Sequence, residues 1–558
     1  MGAMMNRAGR TSNATVEPLE LEIARGRLQS VVDEAGAVIV RTAYSPIVRE
    51  AKDFACALLT PGGRTIVQST GVPVFMGTST HTAQRLLELI PSEEWRPGVI
   101  FGTNDIWLGT GHLYDLTVVM PVFVGDVLVG LTSVVVHLPD IGGRGWGRQA
   151  RQVFEEGMQI PAMKLGTADG YEPLLMRLIK ANVRLPEQVE GDMDAALNAT
   201  LTMGDQLKKF CEEISPATFQ TVWSSLEART EAYVRSKVSA LPDGSYVSSF
   251  DSDDVDGISF HLQLEIKIDG DEITADFSGS SPQVAAGINS SLAYARAYLI
   301  FGLKCLLAPD LPLNEGVFRP IRIVAPEASV VNSRFPAAGT ARNLVGMHIP
   351  PLVFRALAGV MPRVVIGESG SPHPILSITG TDPATGALFA ATLEATGGFG
   401  ARAEADGGSA VQFPANTQIT AVEMIEASSP LVFECRELIP DSGGPGRYRG
   451  GLGQKVSFRT LADSVSASIH VERLQNPPKG MFSGGAGSCT RVLVGDHELS
   501  DPSKTITLTR GEFLTVESSG GGGYGNPRER DAEAVLQDVV NGYVTEDAAK
   551  RLYGSSSD

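Results

Sequence analysis

Cysteine is scarce in this chain: five residues in 558, scattered as Cys56, Cys211, Cys305, Cys435 and Cys489 without one Cys-x-x-Cys pair. That excludes a disulfide framework and a thiolate zinc knuckle, and fits reduced thiols in a cytoplasmic protein. No apolar run approaches the length of a membrane-spanning helix, and the opening MGAMMNRAGRTSNAT lacks the hydrophobic core of a secretory signal. Positive charge is also in deficit, with 46 Lys and Arg against 64 Asp and Glu and a formal net charge of −18. Nucleic acid and anionic membrane surfaces, which are bound through clustered cations, are disfavoured as partners. No G-x-x-x-x-G-K-[ST] occurs, so ATP is not held in a P-loop on this chain. Histidine is sparse too, with eight in all.

The rest is ordinary globular material, 43% hydrophobic and 20% charged, with 61 glycines often in clusters that mark turns between short strands. Apolar spacing predicts a long buried helix over 17–42, a strand pair over 53–59 and 65–68, and a helix over 82–89. Residues 186–237 read as helical and amphipathic. Strands are expected over 245–251, 260–268 and 273–277, a helix over 293–307, and closing helices over 532–540 and 546–553 with Gly542 as a cap. The expected fold is α+β: one intertwined body of α and β segments with a β-rich middle and C-terminal section. Its regions divide into a disordered or cloning-derived segment 1–16, an α/β region 17–185, a helical region 186–242, a β-rich region 243–516, and a Gly-rich loop with helices over 517–558.

The stretch NDIWLGTGHLYDLTVVMPVFVGDVLVGLTSVVVHLPDIGGRGWG, 104–147, is the most informative. Two histidines there each precede an aspartate by three residues, His112 with Asp115 and His137 with Asp140. Apolar β-branched runs at 116–123 and 127–136, split by Val-Gly-Asp, read as an antiparallel hairpin. With a turn centred on Gly125-Asp126, Asp115 lies opposite Val136 and Tyr114 opposite His137. The His-x-x-Asp entering the hairpin then meets the one leaving it, and imidazole and carboxylate ligands converging on one sheet edge are the means of holding a divalent metal. In that strict register Asp115 and His137 sit on opposite faces; a bulge or a three-residue turn brings them onto one. The bland alternative makes His137 a capped strand-end residue and His112 a loop residue bonded to backbone.

Other motifs carry less. Pro440-Asp441-Ser442-Gly443-Gly444-Pro445 resembles the loop around a protease serine, yet no matching histidine segment lies upstream, so it reads as a Gly-rich turn. Gly520–Gly525 satisfies G-x-G-x-x-G, but Asn526-Pro527 interrupts the helix entry and no second parallel strand follows; a close-packed backbone turn or a loop against a neighbouring protomer is expected. Glu155-Glu156 and Asp253-Asp254 fall in polar contexts and read as solvated. His81, His261, His348, His373, His470 and His497 lie apart and read as structural.

Collinear segments give a resemblance. RTAYSPIVREAKDFACALLTPGGRTIVQS, TNDIWLGTGHLYDLTVVMPVF, VVHLPDIGG, EGMQIPAMKL, FPAAGTAR, PDSGGPGRYRGGLG and GGGGYGNPRERDAEAVLQDVVNGYV resemble, over nearly the whole chain, the hydantoinase B/5-oxoprolinase family. The resemblance implies a hydantoinase B-like fold and a hetero-oligomer with a hydantoinase A-type ATP-binding subunit, where ATP and Mg²⁺ are expected. It also implies a metal set of Asp53, His112, Asp115 and His137, suited to Zn²⁺ or Mn²⁺. Asp140 is then a candidate base or an orienter of His137. The implied activity is ATP-dependent opening of a cyclic amide (hydantoin, oxoproline or lactam), with metal-activated water acting on a substrate phosphorylated at the partner. The alternatives are a ketone carboxylase subunit of the acetone or acetophenone type, taking a ketone and bicarbonate, and a non-catalytic subunit whose metal only braces the hairpin. Two departures bear on that choice: Phe75 stands where many relatives read His in P-V-H-L-G, and Leu138 where many read His in H-H-A-D.

Overall fold

The structure is a computed structural model that describes residues 17–69 and 71–554; the expected lead segment 1–16 lies outside them. The predicted first helix spans Pro18–Thr42, and its buried face, Leu21, Ala24, Leu28, Val32, Ala35 and Ile39, recurs at three- and four-residue steps. It packs on a seven-stranded antiparallel sheet ordered Thr65–Gln68, Phe54–Leu59, Val127–His137, Asp115–Val124, Val99–Thr103, Met163–Thr167, Gly170–Tyr171. Both faces of this sheet are covered. Cys56, Leu58, Leu116, Val118, Val134 and Val136 point into a core shared with helix Pro18–Thr42 and helix Pro186–Ile214. The alternate residues Ala55 and Val135 point into a second core around helix Leu292–Leu307. Buried on both sides, the central strands must be nearly continuous in apolar residues, which is how they read.

The helical stretch divides into Pro186–Ile214 and Pro216–Val238, broken at Ser215, whose φ of 75° leaves the helical region and whose side chain accepts from Thr218 N. Its first helix shares a core with the N-terminal sheet, so this region packs into the 17–185 body. A second sheet orders Ile321–Val324, Glu272–Asp276, His261–Asp269, Gly244–Asp251, with the first pair parallel. A third orders Leu388–Glu394, Ile375–Thr381, Ser464–His470, Ile506–Thr509, and a fourth holds Leu431–Leu438 through His497–Glu498. The fold is thus mixed α/β with a β-rich C-terminal half. Among the described residues no helix is long and apolar enough to cross a membrane.

The two Gly-rich motifs are architectural. A Cβ on Gly520 would fall on the Ser442 carbonyl, and one on Gly521 on the Phe399 carbonyl, so the glycines exist to let backbones touch. Ser442 Oγ donates to Ile439 O at 2.6 Å and accepts from Gly453 N at 3.0 Å, which makes it a turn residue and not a nucleophile.

Candidate metal centre

The hairpin departs from its expected register by one residue. Val124 faces Val127 across the Gly125-Asp126 turn, but a bulge after Val122 leaves Val129 unpaired and brings Asp115 opposite His137. Directly opposed residues share a face, so Asp115 and His137 both project towards helix Leu292–Leu307. His112 arrives from the preceding loop. Gly111, at φ +95°, shapes that loop, and a Cβ there would lie 2.8 Å from Arg342 Cδ. Asn104 ties the loop down, donating to Leu113 O at 2.7 Å and accepting from Ile160 N at 2.6 Å.

Three of the four expected ligands converge. His112 Nε2 lies 2.9 Å and His137 Nδ1 3.0 Å from Asp115 Oδ1, and the ligand atoms of all three lie within 4.8 Å of one another. Asp53 Oδ2 stands 3.7 Å from His137 Nδ1, and Asp53 O accepts from His137 N at 3.1 Å. All of the first three are buried. Asp140, by contrast, is drawn off: its carboxylate receives Arg184 Nη2 at 2.8 Å, Gly142 N at 3.0 Å and the backbone N of Arg184. The carboxylate bonded to His137 is that of Asp115.

The electrostatics suit a cation. Burial opposes ionisation of Asp115, but His112, His137 and Arg342 outweigh it and hold the carboxyl well below the usual range; Arg342, permanently charged, reaches Asp115 Oδ2 at 2.8 Å. Burial, then the Arg342 charge, pushes His112 down to about 3, so the ring is neutral. Its Nδ1 faces the Thr340 carbonyl at 3.4 Å and carries the proton. Its Nε2 is left buried and unpartnered, a lone pair aimed at an anionic oxygen. That contact is repulsive without a cation between them, and the mixed imidazole and carboxylate donors fit a borderline divalent ion. Burial raises Asp53 to about 6.

Residues far along the chain complete the centre, and the local spacing of motifs gave no sign of them. Thr340 O accepts from His112 Nδ1 and from Trp146 Nε1 at 3.0 Å. Glu156 fixes that segment, its Oε1 accepting from Gly339 N at 2.7 Å and Thr340 N at 2.6 Å. The solvated reading of the acidic pairs is corrected here: Glu156 and Asp253 are buried, because each gathers backbone N–H groups, Asp253 taking those of Leu474, Gln475 and Asn476. A cavity of about 50 Å³ opens beside the ligands, lined also by Phe75, Arg342, Asn343, His373 and Glu394. Burial, then the nearby Asp53, raises Glu394 to about 8.

The family model described as Hydantoinase B/oxoprolinase matches residues 17–527. A protein of Pseudomonas sp. (strain NS671), provisionally named as the B component of a D-/L-hydantoinase, is 30% identical, covering 97% of this chain and 95% of its own. The beta chain of the Pseudomonas jessenii caprolactamase is 26% identical over 97% of this chain and 96% of its own. The crystal structure of that organism's ATP-dependent caprolactamase superposes with a TM-score of 0.90 at 25% identity, covering 98% and 97% of the two chains. A nucleotide-free acetone carboxylase shares the fold, with a TM-score of 0.86 at 20% identity, covering 96% of this chain and 79% of the other.

Proposed function

Because this chain belongs to the hydantoinase B/oxoprolinase family, we propose that it is the metal-bearing subunit of an ATP-dependent enzyme that opens a cyclic amide. The observation that carries the reading is the convergence of His112, Asp115 and His137, with Asp53 3.7 Å from His137, in a buried site beside a cavity. Similarity to relatives named as components of a hydantoinase and a caprolactamase supports both the substrate class and a second, ATP-binding subunit.

The cation these residues would hold, Zn²⁺ or Mn²⁺, supplies Lewis acidity and an acidified water near neutral pH. The chain's own groups do the rest. Asp115, ionised beside Arg342, orients His137 through Oδ1 and presents the same oxygen towards His112 Nε2. Thr340 O sets the His112 tautomer, so its Nε2 presents a lone pair. Trp146 and Tyr114 pack on His137 at centroid distances of 5.0 and 5.3 Å and exclude water. Glu394, which burial and the nearby Asp53 raise to about 8, lines the same cavity and is the candidate donor of a proton to a leaving nitrogen. ATP is assigned to the partner, where phosphorylation of the amide oxygen turns a poor electrophile into a good one; attack of water with loss of the ring nitrogen leaves an acyl phosphate, and its hydrolysis releases phosphate and the ring-opened acid.

A second reading, carboxylation of a ketone with bicarbonate, is favoured by Phe75, which gives the cavity an apolar wall where many relatives place an imidazole. Co-expression with the ATP-binding subunit separates the two. ADP release is screened against hydantoins, lactams, and ketones with bicarbonate. Ring-opened product without bicarbonate supports the proposal; turnover that requires bicarbonate and yields a carboxylated product refutes it.

A further inference from the structure

The third sheet brings its own polar groups to the cavity. Ile375 pairs with Glu394 on one side and His470 on the other, and Ile375 and Glu394 both line the space beside the metal ligands. His373, two residues ahead of Ile375, lines it as well. Its backbone is fixed from both sides: Pro372 and Pro374 flank it, Ser371 O accepts from Arg473 Nε at 2.8 Å, and Pro374 O accepts from Ala395 N at 3.0 Å.

His373 is 0% exposed, and neither ring nitrogen has a hydrogen-bond partner among the described residues. Burial lowers it to about 4, so the ring is neutral and carries one N–H donor. Asn343, 5% exposed, lines the same cavity. Its Oδ1 lies 3.2 Å from His470 Nδ1, and the His470 ring is in turn held edge-on to Trp146 at 5.1 Å and 84°. With Oδ1 accepting from His470, Asn343 Nδ2 becomes the outward donor, and it too is buried without a partner. Buried N–H groups in native proteins are almost always bonded. Two buried neutral donors without a protein partner among the described residues therefore line one cavity, where an acceptor on a bound molecule would complete them.

We propose that Asn343 and His373 form a carbonyl-binding subsite, two neutral donors that hold the oxygen of the substrate's reacting carbonyl beside the His112–Asp115–His137 cluster. The inference rests on the reading that the substrate carries such a carbonyl, which lactams, hydantoins and ketones share. A cavity of about 50 Å³ has room for the reacting group beside the cluster. The remainder of the substrate extends into an adjoining cavity of about 70 Å³ that shares His137, Trp146 and Glu394. Donors fixed before the substrate arrives hold that oxygen, free in a ketone or phosphorylated in an activated amide, and stabilise the negative charge it takes up as an enolate forms or as phosphate departs.

The test uses the full chain assembled with its partner subunit and infrared difference spectroscopy, with carbonyl-¹³C-labelled ε-caprolactam, hydantoin and acetone as separate probes. In the wild type at least one probe should show its carbonyl stretch moved to lower frequency. Asn343→Leu and His373→Leu should each weaken that probe's binding about tenfold, the order expected for one lost hydrogen bond in a buried site. Each should also reverse part of the frequency change, while metal content and thermal midpoint stay at wild-type values. His373→Gln, which keeps a donor, should retain most of the effect. Should a leucine variant fail to fold, the isosteric Asn343→Asp, which exchanges the donor for an acceptor, gives the same reading. Variants that bind and absorb like wild type overturn the proposal. So does loss of metal from the His373 variants, which would make it a ligand, or the absence of a frequency change with all three probes in the wild type. A carbonyl change without ring opening strikes the hydrolase reading alone; ring opening indifferent to both substitutions strikes this subsite alone.

Discussion

Glu156 stands one step behind the metal centre, and its protonation can be isolated by a single isosteric change. Its Oε1 accepts from Gly339 N and Thr340 N, and the Thr340 carbonyl receives His112 Nδ1 and Trp146 Nε1. Burial raises its carboxyl from 4.5 to about 7, against the bonds from Thr340 and Gly339 that favour the anion. The native state therefore binds this proton more tightly than the unfolded chain. The stabilisation is fully present below 4.5 and is lost as pH rises through about 7. At about 1.4 kcal/mol per pH unit, the ionised side chain costs roughly 3 kcal/mol at pH 8.5. Glu156→Gln copies the protonated form and keeps the Oε1 acceptor, so it should match wild type within about 1 kcal/mol at pH 5 and exceed it by roughly 3 kcal/mol at pH 8.5. A chain of this length unfolds with an entropy on the order of 1.2 kcal/mol/K, so the variant's melting midpoint should rise by about 2 to 3 °C at pH 8.5 and hardly move at pH 5. Scanning calorimetry at the two pH values measures the difference, and acid effects on the metal ligands cancel between the proteins. A Gln variant less stable at pH 8.5, or a gap that does not change with pH, would refute the argument.

Replacing His137 by Ala removes a proposed ligand at the end of strand Val127–His137; ring opening should fall below detection while partner assembly, followed by gel filtration, is unchanged. Some ATP turnover should persist in that variant, because ATP is assigned to the partner. The isolated chain, which has no P-loop, should give no heat of ATP binding in calorimetry, and a tight site would contradict the assignment. Gly520→Ala drives a Cβ into the Ser442 carbonyl, where only backbone movement gives relief. It should lower stability by about 3 kcal/mol or more, read as loss of soluble protein or of the urea midpoint.

The sequence is most legible where periodicity is strong. Helix 17–42 appears as Pro18–Thr42, and the closing helix over 532–540 as Ala532–Val540. The hairpin is legible as a pair of strands but not in its register, because no residue in the apolar runs on either side of the turn marks the bulge after Val122. The convergence of His112, Asp115 and His137 was readable because the three are brought together within about two dozen residues. Arg342, Asn343, His373 and Glu394 were not, since each reaches the site only through tertiary packing. Histidines standing alone in sequence read as structural by default, and only burial with empty ring nitrogens marks His373 as different. The acidic pair at 155–156 shows the same limit: polar neighbours in sequence say nothing of the backbone amides that enclose Glu156 in the fold.

The central claim is that Asp53, His112, Asp115 and His137 hold one divalent transition metal that the chemistry requires. Elemental analysis of the assembled enzyme, purified without chelator and assayed in the same preparation, tests it directly. About one Zn²⁺ or Mn²⁺ per chain is expected of a single site of this donor set, with activity falling in step as the ion is stripped. A preparation that turns over substrate while free of transition metal would contradict it.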